Sequence, residues 1–154
     1  MKKSAPKFNM EIKAGNKYIG AKRPVFIVAE ISANHNQDFS TAVRTIKAIK
    51  ESGADAVKLQ TFTPDTITLN SDRKYFRIKH GTLWDGLTLY ELYKKSYMPW
   101  QWQPKLKEIA EKMGLVFFST PFDKTAVDFL ENLGVPLYKV ASCEITDIPL
   151  IEYI

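Results

Sequence analysis

The chain has 154 residues, of which 45% are hydrophobic and 25% are charged, a composition typical of one soluble globular domain. Its net charge of +5 comes from scattered basic residues, not from a continuous basic stripe. This pattern argues against a nucleic-acid partner and favours a small anionic substrate. No run approaches the ~20 apolar residues that a membrane-spanning helix needs, so no membrane partner is expected.

Residues 1–23 are expected to form a tail or a small cover, with a turn at Gly15 and Asn16. Beyond them, apolar runs alternate with amphipathic segments of helical period. In chain order the expected elements are a strand at 25–29, a helix capped by Ser40 that stops near Gly53, a strand at 54–60, helices at 89–97 and 104–112, a strand at 115–119, a helix at 123–133, a strand at 137–141 and the start of a helix after Pro149.

The repeated order of strand and helix predicts an α/β fold with a parallel sheet and right-handed crossovers. Four such units make half of an eightfold barrel. The expected fold is therefore a TIM-type (β/α)8 barrel of which about the first four units are present, with residues 24–154 forming this N-terminal half. The last helix leaves Leu150, Ile151 and Ile154 without a closing element. We therefore expect a fragment, or a half-barrel that meets its missing edge in another chain.

Each of the four predicted strands ends at, or is followed by, polar or charged residues. These residues are Glu30 after the first strand, Lys58 and Gln60 in the second, Thr120 after the third, and Lys139, Ser142 and Glu144 in and after the fourth. A lysine or a glutamate is almost never fully buried without a partner. In parallel α/β folds, ligands bind beyond the carboxyl ends of the strands. The repeated charge predicts a polar mouth above a packed sheet, and hence an enzyme.

The alternation of side chains along a strand places Gln60 on the same face as Lys58. If these faces point inward, the ammonium groups of Lys58 and Lys139 converge with the hydroxyls of Thr120 and Ser142. Such a set of donors suits a compact polyanion, which must recover the hydrogen bonds that it loses from water. The alternative is that either lysine only pairs with a nearby glutamate and fills a layer of the barrel.

Two glutamates and a histidine are the other candidates for chemistry. Glu30 and Glu144 can orient sugar hydroxyls or move a proton, and Glu30 can instead be the structural partner of a lysine. His35 can titrate near neutrality, although a lone loop histidine is more often an ordinary polar residue. Neither His35 nor the distant His80 has the spacing of a metal pair, so no metal site is expected in this chain. Cys143 has no base near it in sequence and is not expected to be a nucleophile.

Four aromatic residues lie in or near the irregular segment 64–100, namely Trp84, Tyr90, Trp100 and Trp102. They are candidates for the wall or lid of a sugar site, and the alternatives are core packing or an interface that this chain has lost. The single cysteine excludes an intramolecular disulfide and fits a reducing compartment. The first residues carry positive charge without the apolar stretch of a signal peptide, so a cytoplasmic protein is expected.

The segments VAEISANHN, AVKLQTF, FFSTPFD and YKVASCEITDIPLI resemble the sialic-acid synthase family, whose members join phosphoenolpyruvate to an amino-sugar acceptor. The segments occur in the family's order and with natural spacing, from about Pro24 to the last residue. The form AEISANH is most similar to the pseudaminic acid synthase branch of that family. Four linked motifs make the resemblance specific.

The resemblance implies a (β/α)8 barrel with its site at the carboxyl face, followed by an antifreeze-like domain that this chain lacks. The implied phosphoenolpyruvate-binding residues are Lys58, Thr120, Lys139 and Ser142, and the implied sugar-contacting acids are Glu30 and Glu144. A divalent metal, Mn or Mg, is implied for the full-length parent, held by two histidines of the second half of the barrel. A homodimer is expected for that parent.

The implied reaction is a condensation in surface glycan biosynthesis. Carbon three of phosphoenolpyruvate attacks the open-chain sugar aldehyde, which the metal polarises, and water captures the resulting cation at carbon two before phosphate leaves. An asparagine that contacts sugar in neuraminate synthases has no clear match at 81–86. This difference puts the neuraminate acceptor in doubt and favours a different nonulosonic acid. With the AEISANH form, the expected product is pseudaminic acid, and N-acetylneuraminate or legionaminate are the alternatives.

Two other functions remain open at the level of sequence. A Schiff-base aldolase would also use a barrel lysine, as a nucleophile. A non-catalytic assembly module would bind a partner through the exposed edge of the half-barrel. Because the metal-binding histidines are expected elsewhere, the 154-residue chain is expected to be inactive by itself.

Overall fold

The computed structural model describes residues 11–154, so the first ten residues of the predicted tail lie outside the described residues. The remainder of that segment contains an antiparallel hairpin of β1 (Ile12–Ala14) and β2 (Lys17–Ile19). The turn predicted at Gly15 is confirmed, since its φ of 60° is the positive value that a two-residue hairpin loop needs. The hairpin is fastened to the start of the next sheet by an ion pair between Lys17 and Asp55.

A three-stranded parallel sheet forms the centre of the fold. Its order is β3 (Val28–Glu30), β4 (Ala56–Thr61) and β5 (Val116–Pro121). The register pairs Glu30 with Lys58, Lys58 with Phe118, and Gln60 with Thr120. Paired residues of neighbouring strands are separated by one strand spacing of about 4.8 Å, so each such set occupies one level of the sheet. The predicted α/β fold with a parallel sheet is confirmed.

The predicted strand at 137–141 does not form a regular strand. It makes a single parallel bridge, between Tyr138 and Ser119, and the Lys139 N–H donates to the Ser119 carbonyl at 3.2 Å. The ladder ends there because the chain turns away into the short helical turn at Ser142–Glu144. The segment still runs parallel to β5 and beside it. Among residues 11–154 the sheet is open, and no closed barrel is present.

The helices follow the predicted amphipathic segments closely. They are α1 (Phe39–Glu51), α2 (Pro64–Ile67), α3 (Leu89–Ser96), α4 (Gln103–Lys112), α5 (Lys124–Leu133) and α6 (Ile148–Ile151). Short helical turns occur at Lys74–Phe76 and Trp100–Trp102. The helix starts reflect sequence signals, as at α5, where the Asp123 carboxylate accepts the N–H groups of Thr125 and Ala126.

The prediction that Ser40 caps the first helix is wrong. The cap is Asp38, whose carboxylate accepts the Thr41 N–H and the Ser40 hydroxyl, the latter at 2.7 Å. The bond from Ser40, followed by those from Thr41, lowers the pKa of Asp38 to about 2. A carboxylate is the stronger cap because charge-assisted bonds exceed neutral ones and the helix dipole favours a negative group at this end.

The two faces of the parallel sheet bury different sets of residues. The face towards the helices carries Val57, Leu59 and Phe117, packed against Ile46 of α1, Leu106 of α4 and Leu130 of α5. The opposite face carries Ala56, Val116 and Phe118, packed against Phe26 and Leu137. Since side chains alternate along each strand, Glu30, Lys58, Gln60 and Thr120 share this second face, whereas Thr61 and Ser119 lie on the helix side. The helices therefore hold the sheet, and the other face is left for the candidate site.

Replacement of the observed cap should test its assignment over the predicted one. Asp38→Ala should lower the thermal midpoint by about 2–4 °C, because the first turn of α1 loses its charged acceptor. Ser40→Ala should lower it less, since Ser40 only supports the Asp38 carboxylate. Thermal unfolding followed by circular dichroism of the wild type and both variants measures this order. A larger loss in Ser40→Ala would contradict the assignment.

Candidate functional site

The polar residues predicted from the strand ends lie at neighbouring levels on the second face of the sheet. Glu30 and Lys58 form one level through the pairing of β3 with β4. Gln60 and Thr120 form the next level towards the carboxyl ends. Lys139 lies beside that level, because its N–H donates to β5. The structure thus brings all five residues to one edge of the sheet.

An ion pair joins Glu30 and Lys58, which form the lower of these two levels, the one farther from the carboxyl ends of the strands. The distance from Lys58 Nζ to Glu30 Oε1 is 2.7 Å, and 11% of the Lys58 side chain is exposed, compared with 37% for Glu30. A buried ammonium group requires a nearby negative charge, since its transfer out of water is otherwise costly. The structural pairing that the sequence left open is therefore present for Lys58. The more exposed carboxylate faces the mouth of the site.

The upper level and the turn that follows Lys139 contain polar atoms without partners in the part of the chain that the structure describes. Thr120 is 1% exposed, and its Oγ1 has no hydrogen-bond partner. Oε2 of Glu144 is also buried without a partner, and Lys139 is half-buried without an ion pair among residues 11–154. Ser142 is exposed. Because buried polar atoms are nearly always satisfied in folded proteins, such atoms mark a place for a ligand or ordered water.

A cleft of about 1060 Å³ opens beside the carboxyl ends of β3 and β4. Its walls are the loop that follows β3, the end of β4 and helix α3. Among its lining residues are Asn34, Asn36, Gln60, Phe62, Trp84 and Tyr93. Of the predicted site residues, Gln60 is the one that lines it. Its size and its mixture of amide and aromatic groups suit a small polar ligand with an apolar side.

The aromatic residues divide between the two roles that the sequence allowed. Trp84 lines the cleft and is 46% exposed. The other three are engaged elsewhere: the Trp100 Nε1–H donates to the Phe62 carbonyl, Trp102 packs on Phe39, and the Tyr90 hydroxyl donates to Asp65. A sugar wall built from all four is therefore wrong, and core packing describes Trp100 and Trp102.

Tyr93 is a cleft residue that the sequence analysis missed. Its ring packs edge to face on Phe62, with 5.6 Å between ring centroids. Burial raises the pKa of Tyr93, and the nearby Cys143 and Glu144 add to that shift. The phenol therefore stays protonated near neutral pH and can donate a hydrogen bond. The sequence did predict a helix at 89–97, which contains Tyr93. It could not show that this helix lies near residues 142–144, because that proximity arises only on folding.

His35 is fully buried, whereas a loop histidine was expected to be an ordinary polar residue. Burial lowers its pKa from the usual 6.5, and the Ser96 backbone opposes this shift in part. Its Nε2 has no hydrogen bond of normal geometry to any atom of residues 11–154. The ring is therefore neutral at physiological pH.

Within residues 11–154, no three side chains of His, Cys, Asp or Glu lie close enough together to hold a metal ion. Over the same residues, no helix combines the length and the apolar character needed to span a bilayer.

The burial of His35 predicts a pH dependence. Because its pKa is lower in the folded state, the folded protein resists protonation of this ring. The contribution of His35 to the free energy of unfolding should be fully present above pH 6.5. It should decrease as the pH falls from 6.5 towards the pKa of the folded state. NMR of histidine-labelled protein should give a His35 midpoint below 6.5, and urea-unfolded protein should give the ordinary value. A folded-state midpoint at or above the unfolded one would contradict the prediction.

Comparison with known proteins supports a family assignment. The profile of the NeuB family matches residues 45–154. A pseudaminic acid synthase of Helicobacter pylori is 55% identical over 130 residues, which are 84% of this chain and 38% of that protein. An N,N'-diacetyllegionaminic acid synthase of Legionella pneumophila is 39% identical over 139 residues, or 90% of this chain and 39% of that protein.

A solved structure resembles the whole described fold. It is an N-acetylneuraminic acid synthetase of Leptospira borgpetersenii in complex with citrate, with a TM-score of 0.78 and 32% identity. The match covers 94% of this chain and 46% of that one. The chain thus spans less than half the length of these relatives.

Proposed function

The chain belongs to the NeuB family, and we propose that it supplies the first half of the (β/α)8 barrel of a phosphoenolpyruvate-dependent nonulosonic acid synthase. The proposed acceptor is the amino sugar that leads to pseudaminic acid, in the biosynthesis of surface glycans in the cytoplasm. The 55% identity to the pseudaminic acid synthase of H. pylori supports this choice of acceptor over the neuraminate and legionaminate alternatives. The second half of the barrel, an antifreeze-like domain and a homodimer are proposed for the full-length protein.

The observation that carries the proposal is the ion pair between the buried Lys58 and the more exposed Glu30, one level below the Thr120 hydroxyl, which has no partner among residues 11–154. A cation and a free donor at the carboxyl ends of parallel strands form the beginning of an anion site. Lys139 extends the positive charge across β5, because it lies beside Thr120. This arrangement suits a substrate that carries a phosphate and a carboxylate close together.

We assign the phosphate and carboxylate of phosphoenolpyruvate to Lys58 and Lys139, with Thr120 and Ser142 donating hydroxyl hydrogen bonds and Gln60 donating its amide. Lys58 is already neutralised by Glu30, so the substrate anion must share the ammonium group or displace the carboxylate. The negative charge of Glu30 would repel that anion at close range. The pair is therefore the resting state of the site, and substrate binding turns Glu30 towards the acceptor.

Glu30 and Glu144 are assigned to the acceptor. Carbon three of phosphoenolpyruvate forms the new bond to the aldehyde carbon while the aldehyde C=O π bond opens and its oxygen takes a proton. Water then adds to carbon two with loss of a proton. The C–O bond from that tetrahedral carbon to phosphate breaks as the carbon-two hydroxyl loses its proton, which leaves a ketone. A carboxylate can orient acceptor hydroxyl or amide groups and can take a proton. A divalent metal, Mn or Mg, is proposed for the full-length protein. The residues described here do not form a ligand set for it, so no step is assigned to that metal.

Removal of either lysine should weaken phosphoenolpyruvate binding. In the full-length protein, Lys58→Ala and Lys139→Ala should each cost about 1.5–3 kcal/mol of binding free energy, the range for hydrogen bonds to charged groups. Isothermal titration calorimetry measures the change. Lys47→Ala, at an exposed position of α1, is the matched control and should bind as the wild type does. Unchanged affinity in both site variants would contradict the assignment.

The glutamates should affect turnover and leave phosphoenolpyruvate binding intact. Wild-type full-length protein should release phosphate from phosphoenolpyruvate only when Mn and the amino-sugar acceptor are present. Glu30→Gln and Glu144→Gln should lower that rate by roughly 100-fold, the scale of positioned acid–base groups. Glu30→Gln should also bind phosphoenolpyruvate as tightly as the wild type or more tightly, because it frees Lys58.

Glu51→Gln, at the exposed end of α1, is the control for that experiment and should keep full turnover. Loss of phosphoenolpyruvate affinity in both glutamate variants would refute the division of roles. The absence of acceptor-dependent release by the wild type would refute the proposed function itself.

A further inference from the structure

We propose that His35 is a positioning residue, which holds the loop between β3 and α1 in the conformation that forms one wall of the cleft and thereby sets the affinity for the acceptor. The identity of the ligand as the acceptor rests on the proposed function. The positioning itself rests on the geometry of residues 31–38. His35 does not contact the ligand, because it is fully buried beneath the loop.

The backbone of this loop is unusual for residues that carry a side chain. Ser32, Asn36 and Gln37 have φ values of 52°, 51° and 54°, in the left-handed region. L-residues other than glycine rarely adopt this region, because Cβ meets the neighbouring carbonyl oxygen. Three such residues within one short loop persist only where the surroundings determine their conformation. The loop therefore requires an anchor.

His35 supplies that anchor through both its backbone and its ring. Its Nδ1 accepts the Gln37 N–H at 3.1 Å, and its carbonyl accepts the Asp38 N–H at 2.9 Å. The ring stands edge to face on Trp102, with 5.9 Å between ring centroids. Because Nδ1 is an acceptor, the proton of the neutral ring lies on Nε2. The hydrogen bond from the Gln37 N–H to the ring thus holds the backbone of a left-handed residue.

The anchored loop presents its polar side chains to the cleft. Ser32, Asn34, Asn36 and Gln37 all line it. Asn34 is held by two bonds to the Ile31 carbonyl, from its backbone N–H at 3.1 Å and from its side-chain amide at 3.0 Å. The Gln37 side chain donates across to the Tyr97 carbonyl at the end of α3. Rotation of the loop would displace these amides together and would open the contact with α3.

This geometry separates the contribution of the imidazole acceptor from that of the ring volume. His35→Phe keeps a planar ring against Trp102 but removes the acceptor for the Gln37 N–H. His35→Asn removes most of the ring, but its side-chain oxygen can occupy the place of Nδ1. If His35 only fills the core, the two variants should differ in stability and not in acceptor affinity. If His35 positions the loop, the variant that keeps the acceptor atom should keep more of the acceptor affinity, even if it is the less stable one.

The experiment uses the full-length protein and measures acceptor KM, phosphoenolpyruvate KM, kcat and thermal midpoint. In His35→Phe, the acceptor KM should rise about tenfold, the effect of one hydrogen bond, with phosphoenolpyruvate KM within about twofold. In His35→Asn, the acceptor KM should lie nearer the wild-type value although the thermal midpoint falls further. Ile46→Val, in the core of α1 and away from the cleft, is the control and should lower the midpoint without changing either KM.

Amide hydrogen exchange provides a measurement that does not depend on activity. His35→Phe should speed exchange at residues 32–37 and leave residues 42–49 of α1 protected. Uniformly faster exchange, or an unchanged loop, would overturn the positioning role whether or not the enzyme turns over. Equal rises in both KM values would overturn it as well. If the wild type shows no acceptor-dependent phosphate release, the proposed function fails, and the exchange pattern still decides the role of His35.

Discussion

The requirement that the buried Lys58 ammonium have a countercharge determines the arrangement of the site. Lys58 lies in β4 between Val57 and Leu59, both of which pack into the core on the helix side of the sheet. Its own side chain therefore points to the other face, where Glu30 of β3 is its direct neighbour in register. A shift of the register by one residue would place Lys58 opposite an alanine and the core residues on the wrong face. The same register of β3 and β4 thus buries Val57 and Leu59 in the core and places Glu30 beside the Lys58 ammonium group.

The buried polar groups of the sheet show how structural and functional groups differ here. On the helix side, Thr61 and Ser119 share a hydrogen bond of 2.7 Å, and Thr61 also bonds the side chain of Gln103 from α4. On the mouth side, Thr120 and Glu144 each leave a buried oxygen without a partner among the described residues. The satisfied network fastens a helix to the sheet, while the unsatisfied atoms lie where the proposed substrate would supply the partners.

The segment between β4 and α4 connects the site to the surface. The Trp100 indole donates to the Phe62 carbonyl at 3.0 Å, which fixes the end of the segment against the end of β4. Helix α3 then lies across the cleft from the loop that His35 anchors, and Tyr93 reaches the turn at Ser142–Glu144. A region without a clear strand or helix pattern along most of its length thus forms one wall of the cleft. In the proposed function, this wall can select the acceptor without any change in the residues assigned to phosphoenolpyruvate.

The sequence by itself determined the order of the three central strands and the four longer helices, because continuous apolar runs and a 3.6-residue apolar period reflect burial along each element. It also made Lys58 and Thr120 candidates for the site, because an ammonium or hydroxyl group in a buried strand needs a partner for its hydrogen bonds. Only the tertiary structure decided that Lys58 pairs with Glu30, because register is a relation between strands and not a property of either one. It also decided that His35 is buried, because Trp102, which covers its ring, is distant in sequence and near only after folding.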